Sequence, residues 1–85
     1  MATVSVSNAA SSVVATGGPR GAVVNIRNIG GGNIVYFDVV STVTTANGWP
    51  IADTATDRIE IGKGQNLHAI AATGATNISV IVGYK

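Results

Sequence analysis

The sequence predicts an all-β protein, a single small β-sandwich with a jelly-roll-like arrangement of seven or eight short antiparallel strands. Val, Ile and Thr supply 30 of the 85 residues, whereas Leu occurs once, and β-branched side chains suit a pleated sheet. Apolar and polar residues alternate in short stretches that Gly, Pro and Asn separate. The length corresponds to one domain, residues 1–85.

The composition excludes several classes of function. The charged residues make up only 11% of the chain and leave a net charge of +1, without a basic stripe for nucleic acid or a cationic helix for a membrane. Cysteine is absent and His68 is the one histidine, so we expect no disulfide, no metal site and no cofactor. The first residues lack the features of a signal peptide, and we expect synthesis in the cytoplasm.

The N-terminal segment, residues 1–12, allows two interpretations. In "TVSVS", Val4 and Val6 lie on one face of an extended segment. That segment is either an edge strand of the domain or an arm that adds to a neighbouring sheet. An edge with so little charge is an aggregation hazard, which favours the arm. "SSVVA" predicts the next strand and "TGGPRG" a loop.

One strand is predicted before Gly30–Gly32 and one after. "AVVNIRNI" places Ala22, Val24 and Ile26 on one face. "NIVYFDVV" is apolar on nearly both faces, which is typical of a central strand. A phosphate-binding loop needs a helix after its glycines, and here a strand follows. We therefore interpret the glycines as the bend of a β-hairpin. On "NIVYFDVV", one face carries Ile34, Tyr36 and Asp38, and the other carries Val35, Phe37 and Val39.

The second half predicts four further strands. "STVTT" is expected to be a short strand, followed by the turn "ANGWP", in which Asn47 and Gly48 accept positive φ. "ADTATD" is expected to be a polar loop, "RIEI" a strand and "GKGQ" a tight turn. "NLHAIAA" and "NISVIVGY" are expected to be strands joined by "TGAT".

No catalytic constellation is predicted. His68 lacks a serine elbow and an orienting acid in the sequence around it, and we expect it to face solvent or a subunit boundary, where it would make assembly sensitive to pH. Asp53 and Asp57 are interpreted as solvated or turn-capping residues, and Asp38 and Glu60 as strand residues. The calcium-loop pattern is missing. We predict that the chain is not an enzyme.

Trp49 is the most informative residue for function. It follows the turn pair and precedes Pro50, so it covers one end of the core, anchors a protein interface or stacks on a sugar ring. A groove with Tyr36 or Tyr84 as a second platform would favour the sugar. Arg20 is interpreted as an exposed loop charge or a contact between subunits. Our candidate interface residues are Val4, Val6, Arg20, Trp49, Pro50, Ile51 and His68.

The runs "VVNIRNIGGGNIVYFD", "TVTTANGWPI" and "RIEIGKGQNLHAIAATGATNISVIVGYK" resemble a recurrent type of small virion protein of tailed bacteriophages. The resemblance covers about residues 23–82 and is strongest for a capsid decoration, or cement, protein. It implies a non-enzymatic β-sandwich subunit that forms homotrimers on the capsid exterior and stabilises the shell by bridging major capsid proteins. The alternatives are a tail-fibre or baseplate subunit and a module that binds a host glycan or peptide.

Overall fold

The computed structural model describes residues 2–29 and 33–85, and these residues form two antiparallel sheets without a helix. The predicted all-β class and the number of strands are confirmed. The strands are β1 (Ala2–Ser7), β2 (Ser12–Thr16), β3 (Ala22–Asn28), β4 (Val35–Asp38), β5 (Trp49–Ile51), β6 (Thr56–Ile61), β7 (Asn66–Ala71) and β8 (Ala75–Tyr84).

The strand order identifies a jelly-roll topology. Sheet A has the order β1-β8-β3-β6 and sheet B has the order β2-β7-β4-β5. The pairs are nested along the chain, with β1 beside β8, β2 beside β7, β3 beside β6 and β4 beside β5. A two-stranded ribbon folded over on itself gives this arrangement of two Greek keys. The edges of the sandwich are therefore β1 and β2 on one side, and β5 and β6 on the other.

The core lies between the sheets and follows the alternation of the sequence. In β3 the predicted inward residues Ala22, Val24 and Ile26 are all buried. Phe37 and Leu67 are the largest side chains that sheet B contributes. Four buried alanines, three in sheet B and one in sheet A, leave room for the sheets to approach each other around these larger residues. They are Ala15, Ala22, Ala69 and Ala71.

The connection around Gly30–Gly32 does not join a hairpin, and that interpretation was wrong. β3 pairs with β6 and β8 in sheet A, whereas β4 pairs with β5 and β7 in sheet B. The segment between β3 and β4 therefore crosses from one sheet to the other. The glycines themselves lie outside the described residues. As predicted, β4 is an interior strand of its sheet.

The segment "STVTT" is not a strand. Only Val43 of this segment is buried. Local hydrogen bonds form a turn directly after it: the N–H of Thr44 donates to Oδ1 of Asn47 at 2.8 Å. The N–H of Gly48 donates to the carbonyl oxygen of Thr44 at 2.9 Å. The turn that we predicted is present, but neither Asn47 nor Gly48 has a positive φ, so the reason given for it was wrong.

The N-terminal segment is an edge strand of its own sheet, which is the alternative to the arm. β1 pairs with β8 over all of its residues, from Ala2 opposite Val80 to Ser7 opposite Ala75. Val6 is fully buried in the core and Val4 is half-buried. An inward-facing valine fixes the strand on its own sandwich, because leaving it in solvent would forfeit about 1.5–3 kcal/mol of burial.

Candidate functional site

The outer face of sheet B is apolar at its centre. Residues directly opposite in neighbouring strands share a face, and Tyr36 lies opposite both Ile70 in β7 and Pro50 in β5. Val13 continues the face on β2 and is 47% exposed. Tyr36 and Ile70 are half-buried, and Pro50 is exposed. We call Val13, Tyr36, Pro50 and Ile70 the apolar face.

The outer face of sheet A has a different character. Its outward positions on β1, β3, β6 and β8 are mostly Ser, Thr and Asn with three charged residues. They include Thr3, Ser5, Asn25, Arg27, Thr56, Arg58, Glu60, Asn77 and Ser79. The large apolar residues of this face are Ile81, which is 51% exposed, and Val23, which is half-buried. The two outer faces thus differ: large apolar side chains gather at the centre of sheet B, whereas sheet A is mostly polar on its outer side.

His68 lies at the margin of the apolar face. It is opposite Asp38 in β4 and opposite Val13 in β2, and it is half-buried. The carboxylate of Asp38 accepts a hydrogen bond from the N–H of Val39 at 2.7 Å. Among the described residues, no three His, Asp or Glu side chains gather as metal ligands. His68 is thus half-buried on the outer face of sheet B, and its place at a subunit boundary stays a prediction.

Trp49 connects the two sheets at the edge formed by β5 and β6. It begins β5, opposite Phe37, and was wrongly placed in a turn. Its indole Nε1–H donates to Oδ2 of Asp57 at 2.8 Å. Oδ1 of Asp57 accepts the N–H of Arg58 at 2.7 Å. Asp57 lies in β6 rather than in the predicted loop, so the edge strands of the two sheets are joined by one indole–carboxylate bond.

A groove opens beside this bond. Its volume is about 370 Å³, and the indole of Trp49 beside it is 63% exposed. The exposure contradicts the interpretation of Trp49 as a residue buried over the end of the core. Neither Tyr36 nor Tyr84, which we considered as second platforms for a sugar, is among its lining residues. The groove is lined by Phe37, Asp38, Val39, Trp49, Asp57, Arg58, Ile59, Glu60 and Leu67.

The other candidate interface residues are distributed over the molecule. Arg20 is exposed in the loop between β2 and β3, and Pro50 is exposed on the apolar face. Val6 and Ile51 are 0% and 2% exposed and lie in the core, because both side chains face the opposite sheet. Val4 is half-buried beside Val6. The structure thus brings Pro50 and Trp49 together in β5 and separates them from Arg20 and the N-terminal strand.

Asn28 and Asn33, which the sequence did not single out, form hydrogen bonds that link segments of the two sheets. The side chain of Asn28 is fully buried, and its Nδ2 donates to the carbonyl oxygens of Asn33 at 2.7 Å and of Ile51 at 3.0 Å. The side chain of Asn33 bonds to Thr73 in the loop before β8 and to Thr76 in β8. The asparagines on both sides of the three glycines were the one sequence signal for these bonds, since buried amides need hydrogen-bond partners.

Comparison of the sequence with protein-family models found no match, and comparisons with curated proteins and with solved structures found none either. Within residues 2–29 and 33–85, no helix is long and apolar enough to cross a membrane.

Proposed function

We propose that this chain is a non-enzymatic structural protein of a bacteriophage virion, a capsid decoration protein that stabilises the shell by bridging major capsid proteins. The observation that carries the proposal is the difference between the two outer faces. On the apolar face of sheet B, Ile70, Tyr36 and Pro50 lie side by side and Val13 lies opposite His68, whereas the outer face of sheet A is mostly polar. Jelly rolls occur in viral capsid proteins and in lectins, so the fold supports this class of role without selecting it.

The mechanism relies on contact area rather than on chemistry. A specific interface needs about 800 Å² from each partner, and one face of a four-stranded sheet is a suitable surface for it. Symmetry repeats each contact over the shell. Many weak contacts act together, because one that opens leaves its neighbours in place and closes again at a high local concentration. The homotrimer and the position on the capsid exterior are implied by the resemblance and stay predictions.

A pair of matched substitutions tests which face binds. Ile70→Thr removes apolar surface from sheet B and Ile81→Thr removes it from sheet A, and both keep a β-branched residue in a strand. We expect Ile70→Thr to weaken binding to particles that lack the protein by about fivefold per contact, or roughly 1 kcal/mol, while Ile81→Thr binds like the wild type. Equal binding by both variants would contradict docking through the apolar face.

The groove at Trp49 favours one other candidate, a module that binds a host glycan or peptide. An exposed indole beside carboxylates suits either a sugar ring or a peptide side chain. Trp49 is the single tryptophan, so its indole N–H gives one resolved NMR signal that reports on the groove. A saturable shift of that signal with a glycan array component or a peptide, retained in Ile70→Thr, would support this candidate over the shell role.

A further inference from the structure

Three of the four edge strands have features that discourage pairing with another strand. β5 is three residues long with Pro50 at its centre, and proline lacks a backbone donor. A bulge interrupts the register of β2. β6 is charged, and the N–H of Arg58 is already bonded to Asp57. Each of these edges is therefore a poor template for an added strand.

The remaining edge strand, β1, has none of these features. It runs over six residues, Ala2–Ser7, without a charge or a proline, and its register with β8 is uninterrupted. Val4 and Val6 alternate with Thr3, Ser5 and Ser7, and valine and threonine have high strand propensity. Thr3, Ser5 and Ser7 are exposed. A long, regular and uncharged edge of this kind favours association with another strand.

The backbone groups at this free edge belong to Thr3, Ser5 and Ser7. In an antiparallel pair, successive residues alternate between bonding the neighbouring strand and pointing away from it. The N–H of Asn8 donates to the carbonyl oxygen of Gly74 at 2.9 Å, so the residues an even number of positions before Asn8 bond β8. The intervening residues Thr3, Ser5 and Ser7 direct both backbone groups outward.

We propose that β1 pairs antiparallel with β1 of a second copy of this chain, about a two-fold axis that passes beside Ser5. Ser5 then faces Ser5 of the second copy, and Thr3 faces Ser7, so that the outward backbone groups satisfy one another. On the inner side, Val4 lies opposite Val6 of the second copy and extends the core across the contact. The two copies of sheet A become one continuous sheet.

This contact is independent of the proposed virion role, since it requires only the purified chain. A two-fold contact predicts a dimer in solution, whereas the resemblance implies a trimer. The mass of the complex separates them, because each chain contributes 8.5 kDa. The residue on the axis allows a sharper test, because any substitution there faces itself in the dimer.

The experiment compares Ser5→Lys, Ser5→Glu and their equimolar mixture by sedimentation velocity at low salt. Like charges directly opposite each other oppose pairing, so we expect each variant alone to associate at least tenfold more weakly than the wild type. The mixture brings Lys opposite Glu and should recover the dimer. Asn25→Lys adds the same charge to the same face, two strands away from the edge, and should associate like the wild type. Circular dichroism verifies that every variant is folded.

A wild-type chain that stays monomeric at millimolar concentration overturns the proposal. A complex with the mass of three chains also overturns it, and supports the trimer instead. Equal association of Ser5→Lys and Asn25→Lys, or a mixture that does not recover the dimer, shows that Ser5 does not face itself across a two-fold axis.

Discussion

The indole Nε1–H of Trp49 donates a 2.8 Å hydrogen bond to Oδ2 of Asp57, across the edge where sheet B and sheet A meet. Asp57 uses its other oxygen to accept the N–H of Arg58. The carboxylate of Asp57 thus links β6 to β5 and accepts the backbone N–H of Arg58 in the edge strand β6. The same bond holds the indole beside the groove.

Removing this bond should lower stability modestly and leave the fold intact. Trp49→Phe keeps an aromatic ring without the donor, and we expect the free energy of unfolding to fall by about 1 kcal/mol, since the bond is largely exposed. Asp57→Ala should cost more, because it also leaves the N–H of Arg58 without its acceptor. Urea unfolding of the two single variants and the double variant measures the coupling. Asp53→Ala, in the preceding turn, is the control; a loss equal to that of Asp57→Ala would contradict the assignment.

Among the polar residues, we expect substitution of Asn28 to destabilise the fold most. Asn28→Asp keeps the shape of the side chain but places a carboxylate oxygen against the carbonyl oxygens of Asn33 and Ile51. Burial of a carboxylate oxygen against two carbonyl oxygens should cost roughly 3 kcal/mol or more.

The control for Asn28 lies on the same strand. Asn25 is exposed on the outer face of β3, and Asn25→Asp should change the free energy of unfolding by about 0.5 kcal/mol or less. Thermal unfolding monitored by circular dichroism compares the two. An equal loss of stability in the two variants would show that the amide of Asn28 does not stabilise the fold as predicted.

Gly48 should not tolerate a side chain. A Cβ atom at this position would lie 2.6 Å from Cβ of Tyr36 and 2.9 Å from Cγ2 of Val43. We expect Gly48→Ala to reduce the free energy of unfolding by about 1–3 kcal/mol through overpacking. At Gly83, in β8, the nearest atom to an added Cβ is the carbonyl oxygen of Val23 at 3.9 Å. Gly83→Ala should therefore be neutral or stabilising by about 0.5 kcal/mol, and a larger loss there than at Gly48 would refute the packing argument.

The elements that could be predicted from the sequence are those with a local cause. The alternation in "AVVNIRNI" correctly identified Val24 and Ile26 as core residues, because one buried face imposes a period of two. The turn at 62–65 was also correct: Gly64 has a φ of 71°, which glycine adopts at little cost. The strand predicted at "STVTT" failed because Thr44 and Asn47 bond to the local backbone and compete with a sheet.

The features that could not be predicted depend on residues distant in sequence. Whether Gly30–Gly32 turn back within a sheet or cross to the other sheet depends on which strands pair, and no local signal encodes that choice. The bond between Trp49 and Asp57 likewise requires that β5 and β6 be edges of facing sheets. The apolar face emerged only when the register placed Pro50, Tyr36 and Ile70 side by side.

The most direct test of the proposed function is the number of copies of this chain per virion, measured by quantitative mass spectrometry against the major capsid protein in particles purified from its source. A decoration protein is repeated with the shell, so the account predicts near-stoichiometric abundance, on the order of hundreds of copies. A number that matches a ring or a fibre, from about six to a few tens, or the absence of the chain from the particle, would contradict it.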